Sequence, residues 1–193
     1  MKNRVLRITG VLAAFTLLSL AVPLPHVDEL RNGDLSAVAL GAKAEAAQSP
    51  LCDKNPKAAN LNFVLKDSAG RDFNLASQKG KVILLDFWAT WCPPCKVEIP
   101  WFVEFQQKYG PAGLQVVGVS VDDTLEKLQP YVTSMEMNYI VLQGLGHNDL
   151  FDAYGPMVAL PMTLLISREG QVCMKHTGLI AKDALERQIK GLL

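Results

Sequence analysis

The chain has 193 residues, of which 49% are hydrophobic and 20% are charged. This composition is typical of one globular domain with a terminal extension, and it excludes a disordered or collagen-like protein. Nineteen basic and nineteen acidic side chains give a net charge of zero, so the sequence predicts no nucleic-acid partner. The four cysteines are too few for a disulfide-dense miniprotein and lack the paired spacing of a structural zinc site, so no metal is expected.

The N-terminal segment, residues 1–22, has the pattern of an export signal. Three basic side chains precede an uncharged, mostly apolar run over residues 8–22. This run is at the upper end of the length of a signal-peptide core and slightly short for a membrane span, so cleavage and retention as a membrane anchor both stay open. Residues 23–50 lack apolar periodicity and predict a flexible tether, which leaves residues 51–193 as the folded domain.

The remaining chain alternates strand-like and helix-like segments. In chain order we predict a strand over 81–88, a helix over 94–109, a strand over 114–121, a helix over 124–135, a strand over 139–142, an antiparallel hairpin from 161–167 and 171–176, and a helix over 181–193. The first two strands are almost continuously apolar, which is typical of strands buried on both faces. This order predicts a three-layer α/β domain with a mixed sheet.

A cysteine pair stands where the first buried strand ends and the first helix begins. The segment reads Trp91-Cys92-Pro93-Pro94-Cys95. Two intervening residues let both sulfurs meet at the first helical turn, where unpaired N–H groups and the helix dipole stabilise a thiolate. We therefore predict that Cys92 is an exposed nucleophile and that Cys95 resolves the mixed disulfide. The competing interpretations are half of a zinc site, for which a second cysteine pair is missing, and an inert structural disulfide, which would not need a helix start.

The residues around this pair carry a resemblance to a known family. The segment from Phe87 to Cys95, FWATWCPPC, is followed by Glu98 and Pro100. It resembles the membrane-tethered thioredoxin-like proteins of the TlpA, ResA and CcmG type, over roughly residues 55–193. The resemblance implies a thioredoxin fold with a central strand–helix insertion. It also implies a thiol–disulfide oxidoreductase without a cofactor, on the periplasmic side of the bacterial inner membrane.

Position by position, the resemblance also implies a substrate groove. Pro161 matches the cis-proline that faces the dithiol, and a cis peptide there would expose the backbone of Leu160 for strand-like pairing with a substrate. Residues Trp91, Pro93 and Pro94 are expected to contact that substrate as well. Residues 155–159, just before this proline, depart from the family pattern. We therefore expect the groove to differ there.

Two acidic residues match acids of related active sites. Glu98 lies one helical turn after Cys95 and matches the family's active-site acid, which would handle the proton of the thiol. Asp86 lies six residues before Cys92 and matches the buried acid of thioredoxin itself. A carboxylate inside an apolar strand is costly unless it is paired or serves chemistry, so we predict a proton-transfer role for it.

The other two cysteines are far apart in the sequence. Cys52 precedes the fold and Cys173 lies in the predicted hairpin. An exported protein favours disulfides, and the resemblance implies a structural bond between these two, as in some TlpA-like proteins. An unpaired, buried Cys173 and a Cys52 that links two molecules are the alternatives.

The resemblance implies a reductant of protein disulfides in cytochrome c maturation or copper-centre assembly, recharged by a membrane thiol reductant. We expect a monomer. A thiol peroxidase on the same fold would need the pattern Pro-x-x-x-Thr/Ser-x-x-Cys, which is missing before Cys92. A metallochaperone whose dithiol carries copper is the other alternative, and a net oxidant is also open because the residues between the cysteines tune the potential.

Overall fold

A computed structural model of the protein describes residues 52–53 and 55–193. The predicted export signal or anchor over residues 1–22 and the predicted tether over residues 23–50 lie outside the described residues. Among the helices of the described part, none has both the length and the apolar character needed to cross a membrane.

Strands and helices follow one another in the predicted alternation. The strands are β1 (Val64–Asp67), β2 (Asp72–Asn74), β3 (Val82–Trp88), β4 (Leu114–Ser120), β5 (Ile140–Gln143), β6 (Met162–Ile166) and β7 (Val172–Thr177). The helices are α1 (Pro93–Tyr109), α2 (Leu125–Ser134), α3 (Asn148–Tyr154) and α4 (Lys182–Leu192), with short 3-10 turns at Leu75–Gln78 and Gly110–Ala112. Each element predicted from the sequence is present, within one residue at its ends.

The strands form one mixed sheet in the order β2-β1-β5-β4-β3-β6-β7. The neighbours β3, β4 and β5 run parallel, whereas β1, β2, β6 and β7 pair antiparallel with their neighbours. All seven residues of β3 are buried, as expected for a central strand covered on both faces. Strand β5 extends the sheet beside β4. It lies between Cys95 and Pro161 in the chain, where the family resemblance places a strand–helix insertion.

The alternation of side chains along β3 divides the core between the two faces of the sheet. Ile83, Leu85 and Phe87 pack in a cluster that includes residues of α3. Val82 and Leu84 pack in a second cluster, with residues of α1 and α4. The sheet is therefore the middle of three layers, which confirms the predicted α/β architecture.

Two elements were not predicted, the β1–β2 hairpin and helix α3. In β1 the only buried residue is Leu65, and in α3 only Leu150 and Tyr154 are buried. Segments of four and seven residues with so few buried positions show no period that can be recognised. Their positions depend on packing against the sheet.

Candidate active site

The two cysteines of the motif form a disulfide at the start of α1, with their Cα atoms 5.4 Å apart. Cys92 is the N-cap residue, and the backbone N–H of Cys95 points at its sulfur from 3.3 Å. Pro93 and Pro94 occupy the first helical positions, where the helix needs no N–H donor. When the bond is reduced, the same N–H and the helix dipole can stabilise a thiolate on Cys92.

The prediction that Cys92 is exposed is wrong for the oxidised protein. Cys92 is 2% exposed and Cys95 is 1% exposed. Both belong to an apolar cluster with Trp88 and Ile99, and Leu160 packs against this cluster. Bonded to its partner and packed in this way, the sulfur of Cys92 turns away from solvent.

The peptide between Leu160 and Pro161 is cis. Its place near the dithiol follows from strand pairing, because β6 starts at Met162 and pairs antiparallel with β3 next to Phe87. Phe87 is close to the end of β3 that leads into the cysteine motif. The structure thus brings Leu160 and Pro161 to the same end of the sheet as Cys92, although residue 161 follows it by 69 positions.

Asp86 lies on the α1 side of β3, and it is 3% exposed. Thr163, its cross-strand neighbour on β6, donates a hydrogen bond from Oγ1 to Oδ1 of Asp86 at 3.1 Å. Burial, and secondly the nearby carboxyl of Glu98, raise the pKa of Asp86 well above its usual range, against the opposing effect of the Thr163 bond. The protonated form of Asp86 is therefore favoured.

Glu98 is fully buried on α1, one turn after Cys95. Its Oε1 accepts the backbone N–H of Ile180 at 3.1 Å, and its buried Oε2 has no hydrogen-bond partner among the described residues. Burial raises the pKa of Glu98 to about 7, although the Ile180 bond acts in the opposite direction. At neutral pH this carboxyl can therefore both release and accept a proton.

Burial of Glu98 is expected to make stability depend on pH. The folded protein keeps the Glu98 proton that the unfolded chain releases near pH 4.5. The contribution of Glu98 to the free energy of unfolding is therefore fully present below pH 4.5 and is lost as the pH rises to about 7. We expect a loss on the order of 3 kcal/mol across this window. Urea unfolding of the oxidised protein at several pH values measures it.

The isosteric variant Glu98→Gln is the control, because its amide oxygen can still accept the Ile180 N–H. It should show a shallower fall of the unfolding free energy, with the remaining slope due to Asp86. An unchanged slope in this variant would contradict the role assigned to Glu98.

The exposed residues next to the dithiol are Trp91 and Pro93, whereas Pro94 is half-buried. Trp91 is 60% exposed and borders an apolar cleft of about 370 Å³. The cleft is lined by Trp91, Val121, Phe151, Met157, Val158, Ala159 and Leu160. Met157, Val158 and Ala159, which belong to the segment expected to depart from the family pattern, thus contribute directly to the surface beside the cysteines.

Sequence reasoning missed the residues that follow β4 at this edge of the sheet. Asp122 accepts the indole N–H of Trp91, and Asp123 accepts hydrogen bonds from Thr90. Their position beside the cysteine motif could have been inferred, because β3 and β4 are parallel neighbours and the carboxyl ends of such strands meet at one edge of the sheet.

Cys52 and Cys173 are joined by a disulfide, with a sequence separation of 121 residues. Cys173 lies on β7 beside the end of β6, whereas Pro161 precedes the start of β6. The second disulfide is therefore at the opposite end of these strands from the dithiol. Within residues 52–53 and 55–193, no three His, Cys, Asp or Glu side chains gather in a way that could hold a metal ion.

The model of the AhpC/TSA family matches residues 56–174. The thiol-disulfide oxidoreductase ResA of Bacillus thuringiensis subsp. konkukian is 32% identical over 131 residues, which cover 68% of this chain and 75% of that protein. ResA of Bacillus subtilis strain 168 is 34% identical over 124 residues, which cover 64% of this chain and 68% of that protein.

A solved structure supports the same assignment. The thiol:disulfide interchange protein of the thioredoxin family from Chlorobium tepidum TLS is 29% identical, with a TM-score of 0.65, over 73% of this chain and 99% of that one. This similarity confirms the predicted thioredoxin-like fold. The chain belongs to the AhpC/TSA family, and within it to the thiol–disulfide oxidoreductases of the TlpA, ResA and CcmG type.

Proposed function

We propose that this protein is an exported reductant of protein disulfides and that Cys92 and Cys95 are its working dithiol. Its substrates would be exported proteins of cytochrome c maturation or copper-centre assembly. The observation that carries the proposal is the Cys92–Cys95 disulfide at the start of α1, at the same edge of the sheet as the cis Leu160–Pro161 peptide.

The proposed reaction is two successive thiol–disulfide exchanges. The thiolate of Cys92 attacks one sulfur of the substrate disulfide, which forms a mixed disulfide and releases the other substrate sulfur as a thiolate. Cys95, as a thiolate, then attacks the sulfur of Cys92. This step forms the Cys92–Cys95 bond and releases the second substrate thiolate. Two electrons pass from the protein to the substrate, whose thiolates take up two protons.

The proton of Cys95 is the difficult one, because a charged thiolate is disfavoured in the apolar cluster and Cys95 lacks the N-cap position that stabilises a thiolate on Cys92. Glu98 has a pKa of about 7 and lies one turn from Cys95, so it can accept this proton as the mixed disulfide is resolved. Asp86 would act beside it as a second, protonated acid. The backbone of Leu160 would pair with the substrate, and Trp91, Pro93 and Pro94 would contact it.

The N-terminal pattern supports an extracytoplasmic location. Basic residues followed by an apolar run favour export across the inner membrane, with residues 1–22 cleaved or kept as an anchor and residues 23–50 as a tether. A protein that ends each turnover oxidised needs a supply of electrons, and a membrane thiol reductant would provide them on the periplasmic side. The Cys52–Cys173 bond would be structural.

The reduction potential of the Cys92–Cys95 pair tests the direction of electron flow. The full chain would be equilibrated with glutathione buffers, and differential alkylation with peptide mapping would follow each cysteine pair separately. We expect a potential at or below about −220 mV, typical of a reductant. A value near −120 mV would instead make the protein a disulfide donor. The variant with serine at both positions 52 and 173 is the control and should give the same value.

A further inference from the structure

Two adjacent aspartates after β4 hold the turn that presents Cys92. The backbone N–H of Cys92 donates to the carbonyl of Ala89 at 3.1 Å, which closes a turn with Thr90 and Trp91 as its two central residues. Each of these two residues is bound by one of the aspartates. The turn is therefore fixed from the neighbouring strand.

Asp123 is 2% exposed and accepts three hydrogen bonds. The backbone N–H of Thr90 donates to Oδ2 at 2.8 Å, and the hydroxyl of Thr90 donates to Oδ1 at 2.6 Å. The hydroxyl of Ser120 donates to Oδ2 at 2.6 Å. Both carboxylate oxygens of Asp123 are thus engaged, and two of the three donors belong to the turn.

The charge of Asp123 suits this task. Burial acts to raise the pKa of Asp123, but the bonds from Ser120 and Thr90 outweigh it and hold the pKa below its usual value. An ionised carboxylate accepts stronger hydrogen bonds than a neutral group does. The backbone carbonyl of the same residue accepts a bond from the side chain of Gln143 at 3.2 Å, so β5 supports this contact.

Asp122 is exposed and holds the second central residue of the turn. The indole N–H of Trp91 donates to its two carboxylate oxygens at 3.0 and 2.9 Å. Trp91 is 60% exposed, so packing alone does not fix its ring. With the ring held in this way, Trp91 forms one wall of the apolar cleft beside the dithiol, which Phe151 of α3 also lines.

We propose that Asp123 is a positioning residue for the reactive sulfur of Cys92. Asp122 is a positioning residue for Trp91, whose ring forms a wall of the cleft and binds apolar segments of the substrate. The proposal rests on the proposed function only in taking Cys92 and Cys95 as the working dithiol. The two roles are separable, because one acts on the sulfur and the other on the substrate surface.

The test measures exchange between the full chain and two disulfide probes. One probe is glutathione disulfide, and the other is an oxidised peptide in which leucines flank a Cys-Xaa-Xaa-Cys-His segment. Second-order rate constants of exchange are measured in both directions, with reduced protein on oxidised probe and with oxidised protein on reduced probe. The result then does not depend on whether the protein is a net reductant or oxidant.

For Asp123→Ala we expect the rate constants for both probes to fall at least about fivefold, because the sulfur itself is misplaced. Asp123→Asn should recover most of the rate, since its amide can accept the Thr90 N–H and donate to the Thr90 hydroxyl. If Asp123→Ala does not fold, the rate constants of folded Thr90→Val and Thr90→Ser test the same contact between Thr90 and Asp123. Only the valine variant should be slow, and equal rates in the two would overturn the proposal.

For Asp122→Ala we expect the rate constant for the peptide to fall about three- to fivefold while that for glutathione disulfide stays within about twofold. Asp122→Asn keeps one oxygen that can accept the indole N–H and should restore the rate. The matched control is Asp72→Ala, which removes the same charge from the edge strand β2. If this control lowers the peptide rate equally, or if Asp122→Ala leaves it unchanged, the assignment to Trp91 is wrong.

Failure of the proposed function would look different. If Cys92 and Cys95 are not the working dithiol, the protein with Cys52→Ser and Cys173→Ser exchanges with neither probe in either direction. If only the positioning proposal is wrong, the wild-type protein exchanges normally and the aspartate variants match it.

Discussion

Replacing Cys95 with serine is expected to arrest the protein as a mixed disulfide with its substrate. Cys92 would still attack the substrate, but the second exchange would have no nucleophile, so turnover should fall by about a thousandfold or more. The adduct can be followed on non-reducing gels and by mass spectrometry of the linked peptides. We expect external thiols to substitute for Cys95 only slowly, because its position is 1% exposed.

The matched variant Cys92→Ser separates the two roles. It should form no adduct, because Cys95 lies inside the helix and lacks the N-cap position that stabilises a thiolate on Cys92, and because serine is a poor nucleophile at neutral pH. Comparable adducts in the two variants would contradict the assignment of Cys92 as the attacking sulfur.

Removing the Cys52–Cys173 bond is expected to destabilise the domain by about 4–5 kcal/mol in the chain-entropy model. The reason is the length of the closed loop, since the two cysteines are 121 residues apart and the loop includes strands β1 to β6. Urea unfolding of the wild type and of the variant with serine at both positions measures the difference. A difference below about 1 kcal/mol would contradict this account.

The same variant should exchange disulfides at the wild-type rate. The bond lies at the opposite end of β6 and β7 from Pro161, so its loss changes no contact of the dithiol. A slower exchange in folded protein would show that the two disulfides are coupled.

The predicted elements that the structure confirms are those with strong local patterns. Strand β3 is an apolar run interrupted only by Asp86, and α1 begins at two prolines and is followed by Gly110 and Gly113. Both signals act within a few residues and do not depend on the rest of the chain. The β1–β2 hairpin and α3 lack such signals, because each buries only one or two side chains.

In the site, the prediction was best where the chemistry is local. The pairing of Cys92 with Cys95 needs only a spacing of three and a helix start. The exposure of Cys92 was predicted wrongly, because it depends on an apolar cluster that includes Leu128 and Leu160 from other parts of the chain. Asp123 was missed as a site residue because its partner Thr90 is 33 positions away.

The sequence by itself determined the redox motif, the class of the fold and the resemblance to a family, since each depends on patterns between residues that are close along the chain. Only the tertiary structure decided that Asp86 and Glu98 share one buried environment and that Cys52 reaches Cys173. A buried carboxyl has its pKa set by desolvation and by charges brought near it in space, and neither of these can be read from its sequence neighbours.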